Sequence, residues 1–172
     1  KQIVAELPVM ASRATSIRLR RAFEDHHAET SVQIDRLRLL LGQLNEPPKG
    51  IPGGAVAALI EDARRRFDDT ERGETLDAAL IAAAQRIEHY ELASYGTARS
   101  YAEALGDYDA ARILQQTLDE EGHADHLLTK LAERGINQAA GDDILEESTR
   151  YRSRLRFVGV KDVPDARERP LR

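Results

Sequence analysis

The chain has 172 residues, a length that suits one domain, and a formal net charge of −5, which argues against a general nucleic-acid binder because such proteins show a basic footprint. It contains no cysteine, so disulfides, thiolate zinc sites, iron–sulfur clusters and thiol catalysis are excluded, and any metal must sit on His, Asp and Glu, a donor set suited to iron, manganese or zinc. No apolar run approaches the roughly 20 residues of a membrane span and no signal peptide is visible, so a cytoplasmic protein without membrane association is expected.

Three Phe, five Tyr and no Trp leave the core to Leu, Ile, Val and Ala, and strong helix formers predict an all-α fold. Residues 1 to 12 read as the end of a first helix, with Ile3, Leu7, Met10 and Ala14 at helical spacing; Pro8 within it predicts a kink or a restart. After the break "SRATS", Thr15 or Ser16 is the N-cap expected for a second helix to about Leu44, with Leu19, Phe23, His26, Thr30, Gln33, Leu37 and Leu40 on one stripe. The stretch "NEPPKGIPGG", three Pro and three Gly in ten residues, ends it. A shorter helix is expected over 55–70, broken at Gly73. A third long helix over about 76–105 ends at Gly106. A fourth over 109–134 is capped by Asp107 or Asp109 and ends at Gly135. Beyond it "DDILEESTRYRSRLRF" is a further helix candidate and "VKDVPDARERPLR" reads as a tail. The domain division expected is therefore 1–138 as the bundle and 139–172 as a C-terminal extension or tail. Short turns favour antiparallel neighbours, whereas the second and third long helices need a long crossover that carries its own small helix. That connectivity is the ferritin-like four-helix bundle.

Within the third helix, "AAAQRIEHYELASYG" places charged groups in an apolar run, although burying a charge costs several kcal/mol unless it is paired or bound to a metal. Successive helical residues turn by about 100°, so facing can be counted. His26 falls at the centre of the second helix's apolar stripe and Glu29 to one side of it, still inward. Glu88 and Glu91 flank the stripe of Ala84, Tyr95, Ala98 and Ala102, and His89 turns away. On the fourth helix Glu121 and Asp125 are the inner acids, Glu120 sits near an edge and remains a candidate, and His123 points outward. Glu24-x-x-His27 and Glu120-x-x-His123 match the Glu-x-x-His pattern of di-iron bundles, but five His among 30 acids in 172 residues give about one such match by chance. Glu24 and His27 moreover face outward or to an edge. A single inward Glu is ordinarily a rim residue in an ion pair. Several at once, with Arg36, Arg38, Arg86 and Arg99 all off the stripe, want a metal or shared protons. His89, His123 and His126 read as surface residues or subunit contacts, Tyr90 and Tyr95 as packing, and "ARRRF" as a solvated helix face.

The stretches "KQIVAELPVMA", "AFEDHHAETSVQIDRL", "LDAALIAAAQRIEHYELASYGT" and "TLDEEGHADHLLTKLAE" resemble the YciF/YciE-type stress-protein family, a branch of the ferritin-like superfamily, over about residues 1 to 138. The resemblance implies a homodimer of four-helix bundles with a carboxylate-rich site similar to the di-iron centre of rubrerythrin. The family's His-x-x-Glu matches His26 and Glu29, its Glu-His-Tyr-Glu matches Glu88 through Glu91, and its Asp-Glu-Glu matches Asp119, Glu120 and Glu121. Members also carry a Glu just before the Lys-Gln of the first helix, and here Lys1 and Gln2 are the first residues given. Gly122 and His123 stand where members often have Lys and Ala. The expected metal ligands are thus His26, Glu29, Glu88, Glu91, Glu120 and Glu121, holding two iron ions, or manganese. Glu29 and Glu121 would bridge, His26 and Glu88 would be terminal, and Glu91 adjustable. The expected function is a stress-associated metal protein that oxidises Fe(II) or reduces peroxide. The alternative is a non-enzymatic structural or stress dimer whose metal site is vestigial or empty.

Overall fold

Every described element is a helix, as the single helical period predicts. The computed structural model describes residues 1–47, 49, 54–68 and 70–157, with side chains as far as Tyr151, and among these there is no strand. The helices are α1 (Gln2–Arg13), α2 (Ile17–Gln43), α3 (Ala55–Asp68), α4 (Glu74–Ala104), α5 (Tyr108–Leu131) and α6 (Asn137–Phe157). The expected tail after residue 157 lies outside the described residues, as does much of the Pro/Gly-rich break after α2.

Helix starts fix the topology. Ser16 caps α2, its Oγ accepting from the Leu19 amide at 3.3 Å. The backbone N–H groups of Thr15 and Ser16 both donate to the Asp77 carboxylate, each at 2.7 Å. Asp77 belongs to the first turn of α4, so α2 and α4 begin side by side and run parallel. Parallel neighbours cannot be joined by a tight turn, and the long link that results carries α3, which packs on α1 and α4. The short turns between α1 and α2 and between α4 and α5 give antiparallel pairs. The result is the ferritin-like four-helix bundle, α1, α2, α4 and α5, with the crossover helix α3 laid against it. The core at its closed end is built from Leu7, Met10, Leu19, Phe23, Phe67 and Leu80, all 3% exposed or less. Each contributes about 1.5–3 kcal/mol by burial.

Two local expectations are corrected. Pro8 does not restart α1, which runs unbroken through it, because it sits on the exposed face and removes only one helical hydrogen bond. Gly135 breaks the fourth helix where the sequence places the break: its φ of 146° lies in the left-handed region that favours glycine, and beyond this kink the chain resumes as α6 against α4. Ala98, expected on an inner stripe, is exposed. Leu39, Leu44, Tyr101, Leu105 and Tyr108 are likewise exposed on the shared end of α2, α4 and α5.

Candidate metal centre

His26 on α2 lies near mid-helix with 6% of its surface exposed, flanked along its face by Phe23 and Thr30, both buried. Its imidazole is the hub of the site. Nε2 lies 3.2 Å from Glu88 Oε1 on α4 and 3.6 Å from Glu121 Oε2 on α5, and Nδ1 lies 3.7 Å from Glu29 Oε2 one turn along α2. One ligand atom from each of His26, Glu88 and Glu121 falls within 4.8 Å of the others. Glu121 is 0% exposed, Glu88 1% and Glu91 7%, so three buried carboxylates surround one imidazole.

These groups are close without being satisfied. Both His26 ring nitrogens, both Glu121 oxygens, Glu88 Oε2 and Glu91 Oε2 are buried with no hydrogen-bond partner. The contacts around His26 therefore have the proximity of ion pairs but not hydrogen-bond alignment. Natural interiors leave few such atoms unpaired, and each costs roughly 1–3 kcal/mol. Six in one cluster are what ligand atoms look like when they are aimed at something other than each other.

The electrostatics agree. Burial, then the charge of Glu88, raises Glu91 to about 7; His26 works against the rise. Burial also raises Glu121 strongly, helped by Glu88 and Glu91. Burial is the largest influence on His26 and lowers it, yet Glu88, Glu91 and Glu29 together outweigh that and raise it. Burial, followed by the charges of Glu91 and Glu121, raises Tyr95, one turn beyond Glu91. The cluster thus holds more negative charge than its surroundings tolerate, and either protons or a cation must relieve it. Oxygen donors with one imidazole form a hard-to-borderline set, which fits iron or manganese.

The remaining sequence candidates are placed elsewhere. Glu120 is not drawn into the cluster. Arg36 of α2 grips it with both guanidinium ends, Nη2 to Oε1 at 2.7 Å, and Gln33 donates to it at 3.2 Å. Partial burial raises Glu120, but these bonds prevail and hold it below the ordinary carboxylate range. Asp125, expected inside, instead accepts from Gln85 at 3.1 Å on the α4 side of α5. Glu24 and His123 are exposed and His27 is half-buried, away from the hub. His89 is 66% exposed in its side chain, 3.9 Å from Asp125.

Sequence reasoning missed two buried polar anchors, Asp77 and Glu6, and the partners of a third, Gln33, which it places on the inner stripe. Asp77 joins α4 to the start of α2, as described above. Glu6, 1% exposed, is held by Arg64 of α3, whose Nε donates at 2.9 Å. Arg64 is thereby not part of a merely solvated face, unlike Arg65 and Arg66, which pair with acids one turn away on α3 itself. Gln33, 1% exposed, links the Glu120 pair to the cluster's edge. The available signal was the stripe itself: positions 6, 77 and 33 all keep the three-to-four spacing of their apolar neighbours.

Comparison with known proteins shows the family and the helical fold. The profile of the family described as "Domain of unknown function (DUF892)" matches residues 1–141. The chain is 42% identical to protein YciF of Escherichia coli (strain K12) over 141 residues, 81% of this chain and 85% of that one. The crystal structure of the E. coli stress protein YciF superposes with a TM-score of 0.74, covering 79% of this chain and 86% of that one. YcfI from Rhodopseudomonas palustris, described as structural, superposes with a TM-score of 0.72 at 38% identity, covering 74% of this chain and 82% of that one.

Proposed function

We propose that this chain, which belongs to the DUF892 family and is a homologue of the stress protein YciF, is a metal-binding bundle. It would hold iron, or manganese, where α2, α4 and α5 meet. The observation that carries the reading is the triad of His26, Glu88 and Glu121, buried, mutually within 4.8 Å and rich in unpartnered donor atoms. These three residues would hold one ion. Glu29 and Glu91, on either side of them, extend the carboxylate set towards a second. Glu120 is left to its pair with Arg36 and supports the wall of the site.

When bound, two such ions would supply oxidation of Fe(II) with O₂ or peroxide as the electron acceptor, which for peroxide is also its reduction. The protein's own contribution is to place carboxylates where they cannot all stay ionised alone. Tyr95, half-buried beside Glu91 and Glu121, and Phe23 beside His26 restrict solvent around them. A stress-associated role follows from the description of the E. coli relative, and a homodimer is the assembly we propose.

Elemental analysis of protein produced with iron and manganese supplied tests the reading. Wild type should retain metal and Glu88→Ala should lose it. Metal absent from both, or equal in both, would overturn it. A second reading is favoured by the description of the R. palustris relative as structural. In it the same carboxylates share protons, the bundle serves as a structural dimer, and wild type carries no metal.

A further inference from the structure

A cavity of about 170 Å³ lies between α2 and α5 and leads to the cluster. His26 and Glu88 line its inner end, while Asp25, Glu29 and His123 line it towards solvent. Phe23, Ala124 and Leu128 are the buried apolar part of its wall. A water needs only about 10–15 Å³ of such space, so the cavity has room for a cation with part of its hydration shell.

The charge pattern along α2 and α5 is divided. No Lys or Arg lines this cavity. The wider groove beside it, sharing Ala22, Asp25 and Leu127, is lined by Arg18, Arg21, Lys130 and Arg134. Asp25 and His123 are exposed and have no ion pair among the described residues, so both are free to touch a passing ion. Glu29, with 40% of its side chain exposed, stands between solvent and the imidazole, 3.7 Å from His26 Nδ1. Carboxylates and imidazole are therefore graded from an exposed pair, through a half-exposed carboxylate, to buried unpartnered donors.

We infer that this cavity is the access route of a divalent cation, with Asp25 and His123 as its transit station. The inference rests on the metal-binding reading above. Transit residues act on rates and not on final occupancy. Loading and release pass the same station, so weakening it slows both by one factor and leaves affinity in place.

The test uses metal-free full chain mixed with cobalt(II) in a stopped-flow instrument, reading the visible absorption of the bound ion. Release is then followed by adding excess chelator. The double variant Asp25→Asn, His123→Ala should load about tenfold more slowly than wild type, the scale of an electrostatic steering effect, and release more slowly by the same factor. Final cobalt content should be equal. His126→Ala, an exposed imidazole on α5 outside the cavity, should load like wild type. Unchanged loading in the double variant overturns the route. So does lost affinity at an unchanged loading rate, which would make Asp25 or His123 a resident ligand. If wild type itself takes up no cobalt, the metal-binding reading fails and the route with it, a result distinct from a metal-binding wild type whose variants load alike.

Discussion

Arg36 grips Glu120 in a two-pronged ion pair, while Glu121, the next residue, keeps both buried oxygens unpartnered. Adjacent helical residues differ by about 100° in facing, enough to send one carboxylate to a cation on α2 and the other to the cluster. Glu121→Gln should therefore abolish most metal binding. Glu120→Gln should keep metal content and lose about 1–2 kcal/mol of stability, the range of a charge-assisted bond in a partly exposed position. Elemental analysis and denaturant unfolding of the two variants check this. Equal metal loss would place Glu120 among the ligands.

The same contrast holds on α2 between His26 and His27. His26→Ala removes the imidazole hub and opens space beside Phe23, so metal content should fall. Both metal-free and loaded protein should lose stability, the loaded form more, since binding free energy adds to folding free energy. His27→Ala should leave metal content unchanged and stability within about 0.5 kcal/mol. Equal effects at the two positions would contradict the facing of α2.

Facing was legible in the sequence because the helical turn is nearly constant, and His26, Glu29, Glu88, Glu91 and Glu121 follow from counting alone. The counts failed where a second neighbour matters. Helix α5 packs on both α2 and α4, so it has two inner faces, and an average stripe cannot say that Asp125 meets Gln85 while Glu121 meets His26. Nor can it say that an edge acid such as Glu120 will find Arg36, whose reach depends on the distance between two helices 84 positions apart in sequence. Gly135 carried a true signal for positive φ and the helix breaks there, but the glycine itself could not say that the next helix, with Ala140 buried, would fold back against α4.

Glu6 and Arg64 tie the crossover helix to the first helix. Arg64 is 55% exposed in its side chain and Glu6 1%, so the guanidinium comes in from solvent to neutralise a carboxylate that cannot leave. Arg64→Leu should destabilise the chain, because it strands that charge. Glu6→Leu with Arg64→Leu should recover much of the loss, since an apolar pair leaves no charge to desolvate. A double-mutant cycle by urea unfolding measures the coupling; strictly additive losses would show that the pair contributes nothing.

The shared end of α2, α4 and α5 exposes Leu39, Tyr101, Leu105 and Tyr108, a set too apolar to be ordinary for three neighbouring helix ends. We expect homodimerisation to cover this end. Light scattering should give twice the monomer mass, and Leu105→Glu with Tyr108→Glu should shift the protein to monomer. A wild-type monomer, a closed shell of a dozen or more chains, or a dimer indifferent to both substitutions would refute this arrangement.

The buried carboxylates set opposite pH dependences for the metal-free and loaded chains. Glu91 keeps its proton up to about 7 in the fold, against 4.5 for an exposed carboxylate. Between those values the native chain binds more protons than the unfolded one. Its stability is therefore fully present below the unfolded value and is lost as pH rises through about 7. The raised values of Glu121 and His26 act in the same direction. Glu120, held low by Arg36, acts oppositely, but only in acid, where it is finally protonated. Each unit of raised pKa is equivalent to about 1.4 kcal/mol, so metal-free protein should be measurably more stable near pH ~5 than near pH ~8. Metal requires the ionised carboxylates and must displace their protons, so its affinity should increase across the same interval. Urea unfolding at both pH values, with and without manganese(II), checks the two slopes together. Stabilisation by manganese should grow from the lower pH to the higher one while the metal-free baseline falls. A metal-free baseline that instead rises with pH would mean that Glu91 and Glu121 are ionised and solvated in the folded chain, and the burial on which the metal centre depends would be refuted.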